Sequence, residues 1–377
     1  MPDAAKHHGA VVIGAGPGGL ACAAMLGQAG VETLVLERDQ VASSWRGHYD
    51  RLHLHTWRLL SGMPGLRISS RRGPWVARDG VVGYLENYVR HHGLNVRTGV
   101  EVVRVDRVEG KALWRIDTAA GAIEAPTVVV ATGYNHTPIL PDWPGRETFT
   151  GELLHASRYR NPEPYRGKDV LVVGTGNTGA ELCVDLAEGG AARVRIAFRT
   201  PPHVTLRAPG GVPAQLTAIL MHRLPAAVTD RLFAWNRRLS VGDLSRFGLP
   251  TPRSGAFTDF RERDVVPILD VGLVGLIKSG TVEPVAELES FDGPRVRLVD
   301  GTDLEPDAVI AATGYRRGLE SLVGHLGVLD GPGGRPLRMG GEEHPDAPGL
   351  HFVGYRNPMS GMLWEMSWEA RRIAKAA

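Results

Sequence analysis

The six residues Gly14-Ala-Gly16-Pro-Gly18-Gly19, with the carboxylate of Glu37 23 positions after Gly14, have the types and spacing to hold a pyrophosphate and a ribose. Gly14 permits a tight turn, Gly16 lets the backbone approach a pyrophosphate, and Gly19 lets a helix pack closely on a strand. The N-terminus of the helix that follows offers N–H groups and a partial positive charge to the phosphates. A carboxylate at the position of Glu37 accepts both ribose hydroxyls. A chance glycine turn would leave Glu37 to be explained separately. The pattern returns 160 positions later as Gly174-Thr-Gly176-Asn-Thr-Gly179, and there the next strand ends in Arg199. A guanidinium pairs with a 2′-phosphate that a carboxylate would repel, so the second nucleotide is expected to be NADPH in preference to NADH. The competing reading is that Arg199 is only a surface arginine.

Between the two loops lies Phe149-Thr-Gly151-Glu-Leu-Leu-His155-Ala-Ser-Arg-Tyr159. The expectation is a chain that holds two dinucleotides face to face, with this stretch as the joint. His53 and His55 alternate with Leu52 and Leu54, so as a strand both would face one side. A metal would need a third ligand at usable spacing, and the sequence offers none, so surface or hydrogen-bonding roles stay open for both.

The elements that must position these residues are legible as patterns. Ala10–Gly14 is a short continuous apolar run, the mark of a strand buried on both faces. A helix pattern starts at Leu20, and Thr33–Glu37 is the next strand. Arg38–Arg72 is irregular, and long loops of this kind are often functional. Val81–His92 reads as a helix, and Val100–Val108, Ala112–Asp117 and Gly121–Glu124 as a three-stranded meander. Thr127–Tyr134 is a buried strand ending in Ala-Thr-Gly133. After the joint, Asp169–Gly174, Ala180–Glu188 and Arg193–Phe198 give strand, helix and strand. Pro201–Pro252 is an insertion with helix patterns at Val212–His222 and Ala226–Leu239. These helices could cover a substrate, meet a partner or only pack. Leu273–Lys278 reads as a short helix and Gly280–Leu304 as a second meander. Ala308–Tyr315 repeats the Ala-Thr-Gly314 strand end. Gly349–Gly354 is a last strand and Ser360–Ala376 a last helix. The paired loops, meanders and strand ends amount to one duplicated domain plan. The fold class expected is α/β, with two Rossmann-like dinucleotide-binding domains, the second inserted into the first. The first takes residues 1–148 and 316–377, the second 149–315 with the insertion at about 201–252.

The totals restrict the function classes. At 377 residues the chain has room for two or three domains, and its net charge of +2 gives no argument for nucleic acid. Its two cysteines, Cys22 and Cys183, form no Cys-x-x-Cys, which leaves dithiol redox chemistry and structural zinc unsupported. That usage suits a reducing cytoplasm. The N-terminus has no apolar signal core, and Val265–Ile277 is too short and interrupted to span a bilayer. No Gly-x-Ser-x-Gly and no triad pattern is present. No metal site is expected.

These residues resemble the flavin-dependent monooxygenases of the flavin-containing and Baeyer–Villiger group. That family's signature is Phe-x-Gly-x-x-x-His and then, after three further residues, an aromatic residue or proline. Phe149, Gly151, His155 and Tyr159 meet it in full, between the two glycine loops as the family requires. Ser44-Trp45, Tyr49–Leu52, Ser245–Gly248 and Pro267–Gly272 look most like the YUCCA-type branch, whose plant members act on indole-3-pyruvate. The resemblance implies FAD on the first fold and NADPH on the second. NADPH would reduce FAD, and the oxygen adduct of the reduced flavin would oxygenate a small organic substrate at a heteroatom, ketone or 2-oxo acid. The FAD site would draw on Gly14, Gly16, Gly18, Gly19, Glu37, Arg38, Trp45, Arg46, Val102, Thr132 and Gly133. The NADPH site would draw on Gly174, Gly176, Asn177, Thr178, Gly179, Arg199, Thr313 and Gly314. Phe149, Gly151, His155 and Tyr159 would form a hinge that aligns the domains, with His155 outside the chemistry. His55 takes the place where many members carry an asparagine near the flavin, and with Asn177 it is the candidate for a catalytic role. Partners would be dioxygen and a small substrate, without nucleic acid or a membrane span, and with monomer or homodimer left open. Two other readings use the same folds. One is a reductase that passes electrons onward, which normally needs the missing dithiol. The other is a nucleotide-binding redox sensor, which leaves the joint unexplained.

Overall fold

The computed structural model describes residues 8–221, 224–331 and 333–377. The chain forms two compact units: one takes the chain up to Gly47, Thr56–Thr137 and Tyr315–Ala377, the other His48–His55 and Pro138–Gly314. The second unit thus begins at Pro138, ahead of the boundary expected at residue 149. It also recruits eight residues, 48–55, from the loop between the first nucleotide motif and the rest of its own unit.

The first unit is built on a parallel sheet in the order Leu350–Phe352, Thr127–Val130, Ala10–Ile13, Thr33–Leu36, Asn95–Arg97. Ala10 pairs with Thr33 on one side and Thr127 on the other, which aligns the C-terminal ends of the central strands. Every residue from Val128 to Val130 is fully buried, as a continuous apolar run requires when both sheet faces are covered. Each such side chain contributes about 1.5–3 kcal/mol through burial. Helices Pro17–Gln28, Arg78–His92 and Met362–Ala376 belong to this unit, as does an antiparallel meander of Val102–Arg107, Trp114–Thr118 and Gly121–Ala125. The Arg38–Arg72 stretch carries only short turns of helix at Ser43–Arg46, Arg58–Leu60 and Ser70–Arg72.

The second unit repeats the plan with the order Val282–Val285, Arg193–Ala197, Asp169–Val173, Ala308–Ala311, Glu152–His155, all parallel. One expectation changes here. Val282–Val285 belongs to this sheet, so the second meander is Leu288–Asp292, Arg295–Leu298 and Asp303–Leu304. Within the Phe149–Tyr159 stretch, Glu152–His155 forms an edge strand of the same sheet, in register with Ala308–Ala311. The insertion holds helices Ala214–Met221 and Ala226–Ser240, and His222 of the expected first helix lies outside the described residues. Beyond the insertion's expected end at Pro252 come a further helix, Ala256–Arg263, and the strand Ile268–Asp270, which pairs in parallel with Val204–Leu206 of the insertion. Ala226–Ser240 turns its one acid inward: Asp230 accepts from Phe257 N and Thr258 Oγ1. Its Trp235 and Leu239 are exposed. Among the described residues no helix is long and apolar enough to cross a membrane.

Candidate functional site

The two glycine loops have the same geometry. Gly14 and Gly174 have φ of 109° and 117°, where a side chain is strained. A Cβ on Gly14 would stand 2.5 Å from the carbonyl oxygen of Ala131, and one on Gly174 2.4 Å from that of Ala312. Gly19 and Gly179 are needed for close approach, since a Cβ on either would come to 2.0 Å of the carbonyl oxygen of Gly14 or Gly174. Gly16 and Gly176 differ: a Cβ on either meets nothing within 4 Å. Each is the N-cap of a twelve-residue helix, Pro17–Gln28 or Asn177–Glu188, and no side chain caps either helix. A helix N-terminus with room in front of it and no internal cap is an anion cradle, so the residues present fit a dinucleotide phosphate at both places.

In the first unit, Glu37 is buried at the end of its strand. Its Oε2 accepts from Ala15 N at 2.7 Å, and its Oε1 from Asp39 N at 3.0 Å and Ser43 Oγ at 3.3 Å. A carboxylate offers about four acceptor positions, so capacity for a ribose hydroxyl is left after three donors. Ala42 N donates to Ala15 O, tying the Ser43–Arg46 turn to the glycine loop, and Ala42 takes a left-handed φ of 62° to do so. Arg46 in that turn is ion-paired with Glu86. Trp45 beside it is half-buried, Val102 opens the meander half-buried, and Arg38 is exposed near Asp39 and Glu101. The Tyr355 hydroxyl lies 3.1 Å from Thr132 N and 2.8 Å from Thr132 Oγ1, which fixes the backbone ahead of Gly133. Tyr355 was not anticipated; nothing local connects residues 223 positions apart.

In the second unit, Asn177 spends its amide on the chain. Its Nδ2 donates to Pro267 O at 3.3 Å and its Oδ1 accepts from Leu269 N at 2.8 Å, so it anchors the Ile268–Asp270 strand to the helix N-terminus. Both ends of the amide are thus engaged with the chain. Thr178, in the first turn of this helix, is half-buried. Arg199 is exposed beyond the end of its strand, and no hydrogen bond or ion pair holds it among the described residues. Thr313 Oγ1 donates to Ile139 O, and His155 Nε2 lies 3.1 Å from Gly314 O.

The signature residues pack within this unit. Phe149 meets Phe291 with ring centroids 5.0 Å apart. A Cβ on Gly151 would lie 2.6 Å from the Phe149 ring and 2.8 Å from Asp307 O, so only glycine fits. Tyr159 is buried, stacks on Tyr165 and donates to Asp185 Oδ2 at 2.8 Å. Burial raises the Asp185 carboxyl and, with the nearby Asp185 charge, raises the Tyr159 hydroxyl further.

His53 and His55 are not on a regular strand. His53 Nδ1 lies 2.6 Å from Arg51 O, whereas His55 Nε2 lies 2.8 Å from Oε1 of the buried Glu181, whose Oε2 accepts from Tyr49 Oη at 2.5 Å. Glu181, five positions after Gly176, was not anticipated either. A carboxylate two residues beyond the last glycine, on the buried side of a helix, is the signal that was available. Cys22 and Cys183 are both free and fully buried, and burial pushes each thiol up. They supply no exposed dithiol for the reductase reading. Among the described residues no group of three or more His, Cys, Asp or Glu side chains could hold a metal ion.

Comparison with known proteins agrees with this geometry. The family model described as pyridine nucleotide-disulphide oxidoreductase matches residues 11–220. Indole-3-pyruvate monooxygenase YUCCA8 of Oryza sativa subsp. indica is 36% identical over 363 residues, covering 92% of this chain and 86% of that protein. The probable indole-3-pyruvate monooxygenase YUCCA7 of Arabidopsis thaliana is 34% identical over 387 residues, covering 98% and 88%. The structure of a flavin-containing monooxygenase from Stenotrophomonas maltophilia superposes with a TM-score of 0.72 at 23% identity, covering 98% of this chain and 99% of that one, which supports the fold. With two phosphate cradles, the complete signature and these relatives, the chain belongs to the flavin-dependent monooxygenases, in their YUCCA-type branch, and is an FAD- and NADPH-dependent enzyme.

Proposed function

We propose that the first unit holds FAD, that the second holds NADPH, and that the substrate is a small 2-oxo acid. The observation that carries the two cofactor sites is the duplicated cradle: open space over Gly16 and Gly176, each in front of an uncapped helix. When bound, FAD and NADPH supply the hydride and oxygen chemistry, for which the side chains need no nucleophile.

The chain's own residues bind, orient and hold protons. Glu37, already oriented by Ala15 N and Asp39 N, presents its remaining lone pairs to a ribose. Arg199, without a hydrogen bond or ion pair among the described residues, takes the 2′-phosphate. Asn177 keeps the Pro267–Leu269 chain against the helix that faces the phosphates. His155, donating to Gly314 O, holds the Ala-Thr-Gly strand end in place. The substrate class rests on the relatives named above as indole-3-pyruvate monooxygenases, against heteroatom and ketone oxygenation as the other members of the notional substrate range. For a 2-oxo acid the balance is one substrate, one dioxygen, one NADPH and one proton in. One carboxylic acid shorter by one carbon, one carbon dioxide, one water and one NADP⁺ come out. The proposed compartment is a reducing cytoplasm, in keeping with two free buried thiols.

The test is oxygen uptake by the purified flavoprotein with NADPH and a panel of aromatic 2-oxo acids, amines, sulfides and ketones, with carbon dioxide and product quantified. Stoichiometric carbon dioxide release with a 2-oxo acid supports the proposal. Turnover of only amines, sulfides or ketones sinks the substrate class and leaves the cofactor sites standing.

A further inference from the structure

His48–His55 crosses into the second unit and brings two polar side chains to one carboxylate. Glu181 is 3% exposed. Burying a carboxylate is costly unless its oxygens are bonded. Here Oε2 takes the Tyr49 hydroxyl and Oε1 takes His55 Nε2. Tyr49 is itself buried and packs edge-on to Tyr159, so the arrangement is held from behind. The cations acting on Glu181 are Arg51 and Arg207; of the two other acids on this helix, Asp185 accepts from Tyr159 and Glu188 is ion-paired with Arg51.

The geometry fixes the state of the imidazole. A carboxylate accepts only, and its other oxygen already accepts from tyrosine, so His55 Nε2 carries a proton and donates it to Oε1. In the neutral ring Nδ1 is then a bare acceptor. That atom is buried and has no hydrogen-bond partner. An unsatisfied buried acceptor costs about 1–3 kcal/mol. Ring nitrogens of His8, His92 and His351 are also buried without a hydrogen-bond partner, and what sets His55 apart is that its other nitrogen is held by a buried carboxylate that is itself fixed by a tyrosine.

We infer that Glu181 is a positioning residue for His55, holding the ring in the Nε2–H tautomer so that Nδ1 exchanges a proton with a bound group. Nδ1 accepts the proton, the imidazolium charge is offset by Glu181, and the proton is returned from the same atom, so no net charge is left on the protein. Tyr49 completes the arrangement by fixing the carboxylate. The inference rests on the monooxygenase reading only for its activity readout.

The first readout needs no turnover. Nitrogen NMR of ¹⁵N-histidine-labelled protein, with the His55 signal assigned through His55→Gln, reports the tautomer without added NADPH or substrate. Wild type is expected to show His55 as Nε2–H, and Glu181→Gln is expected to lose that single tautomer. The second readout is product formed per NADPH consumed. Glu181→Gln is expected to lower it by at least about tenfold, with hydrogen peroxide rising in its place and KM for NADPH held within about twofold. Glu181→Asp is expected to recover part of the coupling. If Glu181→Gln does not fold, Tyr49→Phe removes the Oε2 bond and keeps the buried ring, and it is expected to lower coupling in the same direction. Retention of the Nε2–H tautomer and of coupling in a folded variant would overturn the inference, as would a loss of thermal stability with both retained. Failure of wild type to consume oxygen with NADPH would sink the monooxygenase reading, and the tautomer measurement would still decide the role of Glu181.

Discussion

His155 and Gly314 are joined by a 3.1 Å hydrogen bond from the imidazole Nε2 to the glycine carbonyl oxygen, across two adjacent strands of the second sheet. The direction of the bond is fixed by the other nitrogen. Nδ1 accepts from Ser157 N at 3.1 Å, so the ring proton is on Nε2. One ring thus bonds a backbone donor on its own turn and the Gly314 carbonyl beyond the neighbouring strand, which also accepts from Ile139 N at 3.0 Å. Protonating Nδ1 would set two donors against each other.

Stability is therefore expected to fall on acidification through this residue. Burial lowers the His155 imidazolium below the ordinary histidine value of 6.5. Above that value both folded and unfolded states are neutral at this position. As pH falls the unfolded chain takes up the proton first, so stability is lost from about pH 6.5 down to the folded value and then levels off. His155→Gln should be less stable than wild type by about 1–3 kcal/mol near pH 7. The difference should narrow toward pH 5, as measured by denaturant unfolding at each pH. A difference that widens on acidification would contradict the tautomer assignment.

Gly16 and Gly19 separate binding from folding. A Cβ on Gly16 meets open space, and its φ of −84° suits any residue, so Gly16→Val should fold with near-native thermal stability and yet purify colourless. Gly19→Ala places a methyl 2.0 Å from Gly14 O, and the chain is expected to lose several kcal/mol and accumulate as insoluble protein. Flavin absorbance and a melting curve on the soluble fractions check both. A yellow, active Gly16→Val would remove the first cradle from the FAD site.

Much of this arrangement was legible because its causes are local. The glycine loops, the buried central strands and the Ala-Thr-Gly ends are short patterns in which a turn, a helix start and an apolar run each leave a mark. The residues that were missed act at long range. Tyr355 reaches Thr132 across 223 positions and Tyr49 reaches Glu181 across 132, and no periodicity connects such pairs. The Val282–Val285 strand was read into the meander because four apolar-rich residues do not reveal which sheet they join. It is set by pairing with Arg193–Ala197. The Ala256–Arg263 helix lacks a side-chain N-cap and carries four charges in eight residues, so nothing in its pattern announced it.

Asn177 gives a prediction about order in the insertion. Its amide is the link between the second glycine loop and the Pro267–Leu269 chain. Asn177→Ala leaves Leu269 N and Pro267 O without this partner, at a cost of about 1–3 kcal/mol. The expected result is faster amide exchange in the Val204–Leu206 and Ile268–Asp270 strand pair and a raised KM for NADPH, with kcat at saturating NADPH close to wild type. A drop in kcat at unchanged KM and unchanged exchange would restore Asn177 to the chemistry.

Arg199 offers the cleanest test of cofactor choice, because no hydrogen bond or ion pair among the described residues holds it. It is exposed beyond the last residue of the Arg193–Ala197 strand, and no hydrogen bond or ion pair among the described residues is lost with it. Arg199→Ala should leave the melting temperature unchanged. A charge-assisted bond to a 2′-phosphate contributes about 1.5–3 kcal/mol. Its loss should raise KM for NADPH by about ten- to a hundredfold, while KM for NADH, which has no such phosphate, moves by less than about twofold. Steady-state kinetics with both nucleotides decides the matter. Equal losses for the two would mean that Arg199 meets some part of the nucleotide they share, and the 2′-phosphate would then have to be recognised elsewhere.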